Sequence, residues 1–135
     1  MLGEPIGEAK GRITSIRVLP FEGQQPKVEV SFQSSGKLLG IECNELGTYV
    51  STRRPDGTMF GEGQGLLMTR DGESVTWQGQ GIGKPTGKGS AARWRGAIYY
   101  STSSRNLDRL NGIAAVFEYE TDEAGNTQSK IWEWK

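Results

Sequence analysis

Two segments of alternating hydrophobic and polar residues flank Asp71-Gly72 in the stretch Thr58 to Gly83, TMFGEGQGLLMTRDGESVTWQGQGIG. Asp-Gly favours a two-residue type I′ turn, whose central residues both take positive φ, so the pattern predicts one long β-hairpin. With Asp71 and Gly72 as the loop, Arg70 faces Glu73. Phe60, Glu62, Gln64, Leu66 and Met68 then share one face with Gly83, Gly81, Gly79, Trp77 and Val75 opposite them. The other face carries Gly61, Gly63, Gly65, Leu67 and Thr69 opposite Ile82, Gln80, Gln78, Thr76 and Ser74. Glycine inside a strand marks a bend or a close backbone approach, and the six glycines of these two strands predict a sheet that curls towards a small closed barrel.

The rest of the chain extends the same pattern. Residues 1–11, MLGEPIGEAKG, have no period and read as a flexible lead-in, so the single barrel domain is expected over 12–135. RITSIRVL suits a strand because β-branched residues dominate it. After the turn-rich PFEGQQP, Val28, Val30 and Phe32 alternate with polar residues, and Ser34-Ser35-Gly36 reads as a return into KLLGIEC. Tyr49 to Thr52 continues as a strand before Arg53-Arg54-Pro55-Asp56-Gly57 turns the chain again. Beyond the central hairpin, KPTGKGSAA reads as a loop and RWRGAIYYST as a strand with Trp94, Ile98 and Tyr100 on one face. SSRNLDRLNG is the one helical segment, a turn or two with Leu107 and Leu110 three apart and Gly112 as its stop, serving as a connector or a barrel plug. IAAVFEYET and SKIWEWK close the chain as strands, the latter with Trp132 and Trp134 on one face.

Sequential short strands without a long helix predict an all-β fold: a closed or nearly closed antiparallel meander barrel of about eight strands with a short helical turn near 104–111. A β-sandwich is the alternative. This Gly-rich meander with a short Leu-containing turn before its final hairpin resembles the barrel of the allene oxide cyclase family, and more distantly the calycins, over residues 12 to 135. The resemblance lies in strand order and turn placement and implies an apolar ligand inside the barrel. It matches no catalytic motif, so no active-site residue of that family is carried over.

Composition narrows the chemistry. At 135 residues the chain fits one domain, and sixteen basic residues cancel sixteen acidic ones, so no net charge draws it to nucleic acid or an anionic membrane. Cys43 is the one cysteine and histidine is absent, which excludes an internal disulfide, Ser-His or Cys-His catalysis and an ordinary zinc site. No cofactor or metal is expected. Without an apolar run of ~18 residues, no membrane span is expected either, and a cytoplasmic protein is the default.

The tract GQGIGKPTGKGSAARWRG fails the spacing of a phosphate loop, because Gly83-Lys84 precedes Pro85 and Gly87-Lys88 precedes Gly89. Gly87-x-Gly89-x-x-Ala92 matches a dinucleotide fingerprint by letters only, since it opens a strand rather than a helix. Residues 84 to 109 carry six Lys or Arg against Asp108, while Glu118 to Lys135 carry five acids against two lysines. Neighbouring strands of opposite sign pairing with each other is the ordinary reading; an anion or RNA site at Arg93, Arg95, Trp94 and Tyr99 is the other.

Three functions fit this pattern. The first is a barrel that binds a small apolar or amphipathic molecule, with Phe60, Leu66, Met68, Trp77 and Trp94 as wall and Glu62, Gln64 and Arg95 as polar groups. A cofactor-free isomerase or cyclase is the second, with Glu62 or Glu118 as acid or base beside Tyr100. Third is a structural protein with a filled core whose exposed glycine face packs on a second subunit, a candidate homo-oligomer. A cavity above ~300 Å³ with a buried carboxylate would favour the first two, and a solid interior the third. The expected register puts Glu62 among apolar walls, either paired with an inward arginine such as Arg93 or Arg95 or raised in pKa by burial as an acid, base or ligand anchor. Cys43 reads as an inert buried thiol.

Overall fold

The computed structural model describes residues 2–21 and 23–135; Met1 of the expected lead-in and Glu22 of the expected PFEGQQP turn lie outside the described residues. Eight antiparallel strands follow one another: β1 (Leu2–Val18), β2 (Lys27–Leu38), β3 (Ile41–Arg53), β4 (Met59–Thr69), β5 (Ser74–Pro85), β6 (Ala92–Thr102), β7 (Ala115–Thr121) and β8 (Asn126–Trp134). Each pairs with the next and β8 returns to β1, so the sheet is a closed meander barrel rather than a sandwich. A 3-10 helix, Arg105–Gly112, joins β6 to β7. None of the described helices is long and apolar enough to cross a membrane.

The central hairpin forms, but one residue out of the expected register. Met68 faces Ser74, Leu66 faces Thr76 and Gly65 faces Trp77. The loop holds three residues, not two: the Gly72 amide donates to the Thr69 carbonyl and the Thr69 amide to the Glu73 carbonyl. Gly72 has φ +84°, whereas among the described non-glycine residues only Leu39 has positive φ, so Asp71 does not meet the demand of a type I′ turn. This is the three-residue arrangement in which a type I turn is followed by a left-handed glycine, and its extra residue re-pairs the strands. A slip by one changes which face of the partner strand each residue joins. Gly61, Gly63 and Gly65 therefore turn inward with Gly81, Gly79 and Trp77, while Glu62, Gln64 and Met68 turn out with Gln80, Gln78 and Ser74. The expected inward face of β4 is inverted, whereas that of β5, with Val75, Trp77, Gly79, Gly81 and Gly83, is kept, and the β4 glycines lie inside the barrel rather than on an exposed face for a second subunit.

Two other boundaries differ. From Leu2 onward the expected lead-in is strand, bonded to β2 from Gly7 and to β8 from Leu2. Its glycines hide the period: a Cβ on Gly11 would lie 1.9 Å from the Gln33 carbonyl oxygen, so this position admits no side chain to report the pattern. Ser34-Ser35-Gly36 is not a turn either but the middle of β2, and a Cβ on Gly36 would lie 1.8 Å from the Glu8 carbonyl oxygen. The real hairpin turn is Leu39-Gly40, with φ values of +51° and +78° and Leu38 facing Ile41, the two-residue type I′ geometry.

Closure by β8 occurs as the two C-terminal tryptophans suggest, yet they are outside: Trp132 pairs with Pro5, Trp134 with Leu2, and Trp134 is 66% exposed. Ile131 is the inward residue of that strand end. The helix is a plug. Leu107 and Leu110 are buried against Leu38, Leu67, Val75 and Ile98. Polar ties hold it there: Glu73 accepts from Ser104 Oγ and, at 3.2 Å, from Asn106 Nδ2; Asn111 exchanges hydrogen bonds of 2.8 and 2.9 Å with the Thr102 backbone; and Arg109 meets Glu133 at 2.5 Å.

Candidate functional site

Alternation along the strands assigns the interior, and the interior has two chemistries. Near the helix it is aliphatic, with Leu38, Leu67, Val75, Ile98 and Ile131 around Leu107 and Leu110. Beyond that layer it is aromatic: Phe32, Trp94 and Tyr119 are buried, with Tyr49 and Met59 packed on them and Trp77 and Phe117 touching both clusters. Ring centroids lie 5.4 Å apart for Phe32 and Tyr119, 5.5 Å for Tyr49 and Trp94, and 5.8 Å for Tyr49 and Tyr119, mostly tilted or edge-on as ring quadrupoles prefer.

The inward glycines are the sockets of these rings. A Cβ on Gly65 would lie 2.2 Å from Trp77 Nε1, one on Gly47 2.4 Å from the Phe32 ring, and ones on Gly61 and Gly83 2.6 and 2.7 Å from Trp94. The opposition of large side chains to glycine across the hairpin, expected from the sequence, survives only at Met59–Gly83 and Gly65–Trp77, and the rings seated on Gly47, Gly61 and Gly83 come from β2 and β6 instead. Where Gly61 pairs with Gly81 and Gly63 with Gly79, the wall has no side chains and a chamber of about 80 Å³ remains. Glu62 and Gln80, whose side chains face solvent, border it because only backbone separates the two sides there.

One carboxylate faces this chamber, and it is Glu45 of β3. Ser34 Oγ donates to its Oε1 at 2.7 Å and Trp77 Nε1 to its Oε2 at 2.8 Å. No described lysine or arginine lines the chamber, so the charge has hydrogen bonds but no counterion. Burial raises the Glu45 pKa above the ordinary carboxylate value, outweighing the two donors, which pull it down. The titratable neighbours shift upward with it. Burial and the Glu45 charge push Cys43 up to about 11, burial takes Tyr49 to about 12, and Tyr100 and Tyr119 are raised chiefly by burial. Cys43 is half-buried with its thiol held protonated, consistent with an inert residue.

Tyr119 is the second polar feature. It is 9% exposed, lines the chamber, and its hydroxyl is buried without a hydrogen-bonding partner among the described residues. The Tyr49 oxygen lies close enough that the Tyr119 O–H directed at it raises the Tyr119 pKa and lowers that of Tyr49, but the contact falls short of a well-formed hydrogen bond and leaves the Tyr119 lone pairs unused. An unpaired buried hydroxyl is a cost that most folds remove.

Of the residues singled out from the sequence, Trp77, Trp94 and Tyr100 face the interior, and the first two line the chamber. Phe60, Glu62, Gln64, Leu66 and Met68 share the outer face of β4, because the three-residue loop shifts its pairing. Glu62 is exposed, so the argument that burial would make it an acid, a base or a ligand anchor has no basis. Neither Arg93 nor Arg95 turns in to pair with it. Arg93 meets Glu120 at 3.3 Å and Arg95 meets Glu118 at 3.8 Å on the outer surface, the pairing expected for neighbouring strands of opposite sign. Glu118 is therefore an exposed ion-pair partner rather than a carboxylate beside Tyr100. Glu45 escaped sequence reading because local hydropathy misleads in ECNELGTYV: Leu46, the apolar neighbour, is 48% exposed while Glu45 faces in. The phase of Cys43, Gly47 and Tyr49 held the signal, since all three alternate with Glu45.

No protein-family model matches the chain, and no curated protein matches it in sequence. Solved structures share its fold. A β-barrel-like protein from Acinetobacter baumannii superposes with a TM-score of 0.83 at 14% identity, covering 100% of this chain and 96% of its own. A conserved protein of unknown function from Rhodopseudomonas palustris gives 0.82 at 16% identity, with 98% and 97% covered. An enzyme from Penicillium herquei gives 0.70 at 18% identity, with 96% and 92% covered. Identities this low carry the fold and nothing finer.

Proposed function

We propose that this chain is a small-molecule-binding β-barrel whose ligand occupies the aromatic chamber and takes its polar contacts from Glu45 and Tyr119. One observation carries the reading: an aromatic-walled chamber holds a carboxylate without counterion and a hydroxyl without partner. Both groups are expensive to bury in isolation, and a ligand that satisfies them recovers that loss. The volume, about 80 Å³, is smaller than both a typical ligand pocket of ~300 Å³ and the ~150 Å³ cavity that takes up benzene. It suits a group of a few heavy atoms, either a whole ligand or the head of a longer one. Native mass spectrometry of protein purified without added ligand, followed by thermal melting with small-molecule probes, tests the reading. A retained mass, or a melting-temperature rise abolished by narrowing the chamber with Ser129→Leu at its lining, is the expected result. An unliganded mass together with no probe-induced shift would overturn it.

Acid–base catalysis at the same place is the second reading, favoured by the raised Glu45 pKa. The presence of an enzyme from Penicillium herquei among proteins of this fold is compatible with it. Deuterium exchange from D₂O into a carbon of the bound ligand, lost in Glu45→Gln, is the outcome that would distinguish catalysis from binding.

A further inference from the structure

We infer that the chamber selects a ligand whose buried end is a protonated amine, held between the Glu45 carboxylate, the Tyr119 hydroxyl and the surrounding ring faces. The inference rests on the ligand-binding reading and adds the sign of the ligand's charge.

Four observations lead to it. Charge comes first: every described arginine and lysine except Lys27 is exposed, and Lys27 falls on the outward phase of β2, opposite to buried Val30 and Phe32. Among the described residues the chamber thus receives one inward formal charge, that of Glu45, and it is negative. Around Glu45 the titratable groups are Cys43 of its own strand, Tyr49 further along β3, Tyr100 of β6 and Tyr119 of β7, each of them neutral or anionic at any pH. Ser34 of β2 and Trp77 of β5 complete the surroundings as neutral donors. An anionic ligand here would be buried beside a carboxylate with no cation to offset either charge.

Second, Glu45 has capacity left. Each carboxylate oxygen accepts one hydrogen bond in the structure, and a carboxylate offers about four acceptor sites in all, which an ammonium N–H can use. Third, the Tyr119 oxygen is buried and unpartnered on the same lining, and its lone pairs can accept from the same ammonium. Fourth, the walls are Phe32, Tyr49, Trp77, Trp94, Phe117 and Tyr119, whose faces carry the negative side of the ring quadrupole. Desolvated aromatic faces attract a cation and are used elsewhere as cages for ammonium groups. The small chamber restricts the buried end to an ammonium bearing a few carbons.

Amine binding stabilises ionised Glu45, so it draws the carboxyl pKa back down and releases a proton where Glu45 was protonated. Affinity for the amine then rises as pH increases through the Glu45 transition, as long as the amine itself stays protonated.

A matched set of probes tests this: isopropylamine, isopropanol and isobutyrate, titrated into the wild-type protein at neutral pH by calorimetry and ligand-observed NMR, with xenon as an uncharged occupant. Isopropylammonium is expected to bind at least about tenfold tighter than isopropanol, with no detectable binding of isobutyrate. Repeating the titration in buffers of different ionisation enthalpy should report proton release. Glu45→Gln should remove the amine preference, and Tyr119→Phe, which keeps the ring, should reduce it while leaving xenon uptake unchanged. Equal or tighter binding of isopropanol or isobutyrate would overturn the charge assignment and leave the ligand-binding reading intact. If xenon and all three probes fail to bind, both fall.

Discussion

The two halves of the barrel interior solve the same packing problem with different residues. Around the helix, Leu107, Leu110 and Val75 are among the most deeply buried side chains, and the layer they form needs no polar partner. In the other half the rings of Phe32, Trp77 and Trp94 sit against glycine, leave a chamber, and bring a carboxylate and an unpaired hydroxyl inside. Branched aliphatic side chains interdigitate to high density, whereas flat rings set edge to face need flat or empty neighbours and leave gaps where three or more meet. The most deeply buried side chains therefore lie in the plugged half, and the buried carboxylate and hydroxyl in the glycine-lined half.

Removing mass from the aliphatic half should do the most damage. Leu110 is 0% exposed, so Leu110→Ala should destabilise the protein by about 2 to 5 kcal/mol, read by urea denaturation. A loss below this range would mean that the helix is a dispensable cover rather than part of the core.

Adding mass to the aromatic half is the complementary perturbation. Gly65→Ala puts a methyl group 2.2 Å from Trp77 Nε1, which must move, and overpacking of this kind costs about 1 to 3 kcal/mol. Because that nitrogen donates to Glu45, the variant should also change Trp77 fluorescence and raise the Glu45 pKa further. Unchanged fluorescence in a folded variant would show that the socket is looser than it looks.

A third comparison uses pH. The folded-state pKa of Glu45 is raised, so the native protein holds this proton more tightly than the unfolded chain does. The resulting contribution to stability is fully present below the unfolded value near 4.5 and is lost as pH rises through the folded value. Thermal melts of wild type against Glu45→Gln should therefore show the wild type losing ground to the variant as pH increases from about 4.5, a window set by the ordinary carboxyl value and the upward shift. Parallel pH profiles for the two proteins would place Glu45 in a solvated environment instead. The Arg93–Glu120 pair, half-exposed on both sides, should contribute little to stability.

The smallest effect has the opposite sign. Tyr119→Phe removes a buried hydroxyl that has no well-formed hydrogen bond, so it should raise the stability of the protein by about 1 kcal/mol. If the substitution destabilises, the hydroxyl has a partner and the contrast between a satisfied aliphatic half and an unsatisfied aromatic half weakens.

Local pattern in the chain determined the class of fold: period-two alternation, β-branched and aromatic strands, and turn residues every dozen positions leave little but an antiparallel meander, and the paired Leu107 and Leu110 mark its plug. Charge balance between neighbouring strands was equally legible, because cross-strand ion pairs depend on sequence neighbours in a meander. What the tertiary structure alone decided was phase. A three-residue loop and a two-residue loop at Asp71-Gly72 differ by one position, and that position exchanges Glu62 for the glycines as the inward set. At Gly11 and Gly36 a neighbouring strand's backbone occupies the place of a side chain, so neither position shows whether its strand continues. Glu45 is inside because β2 runs on through Ser34 to Leu38 and because Trp77, seated on Gly65, reaches across to it. The Trp77 contact joins residues 32 positions apart and the Ser34 contact residues 11 apart, and hydropathy along a single strand carries no trace of either.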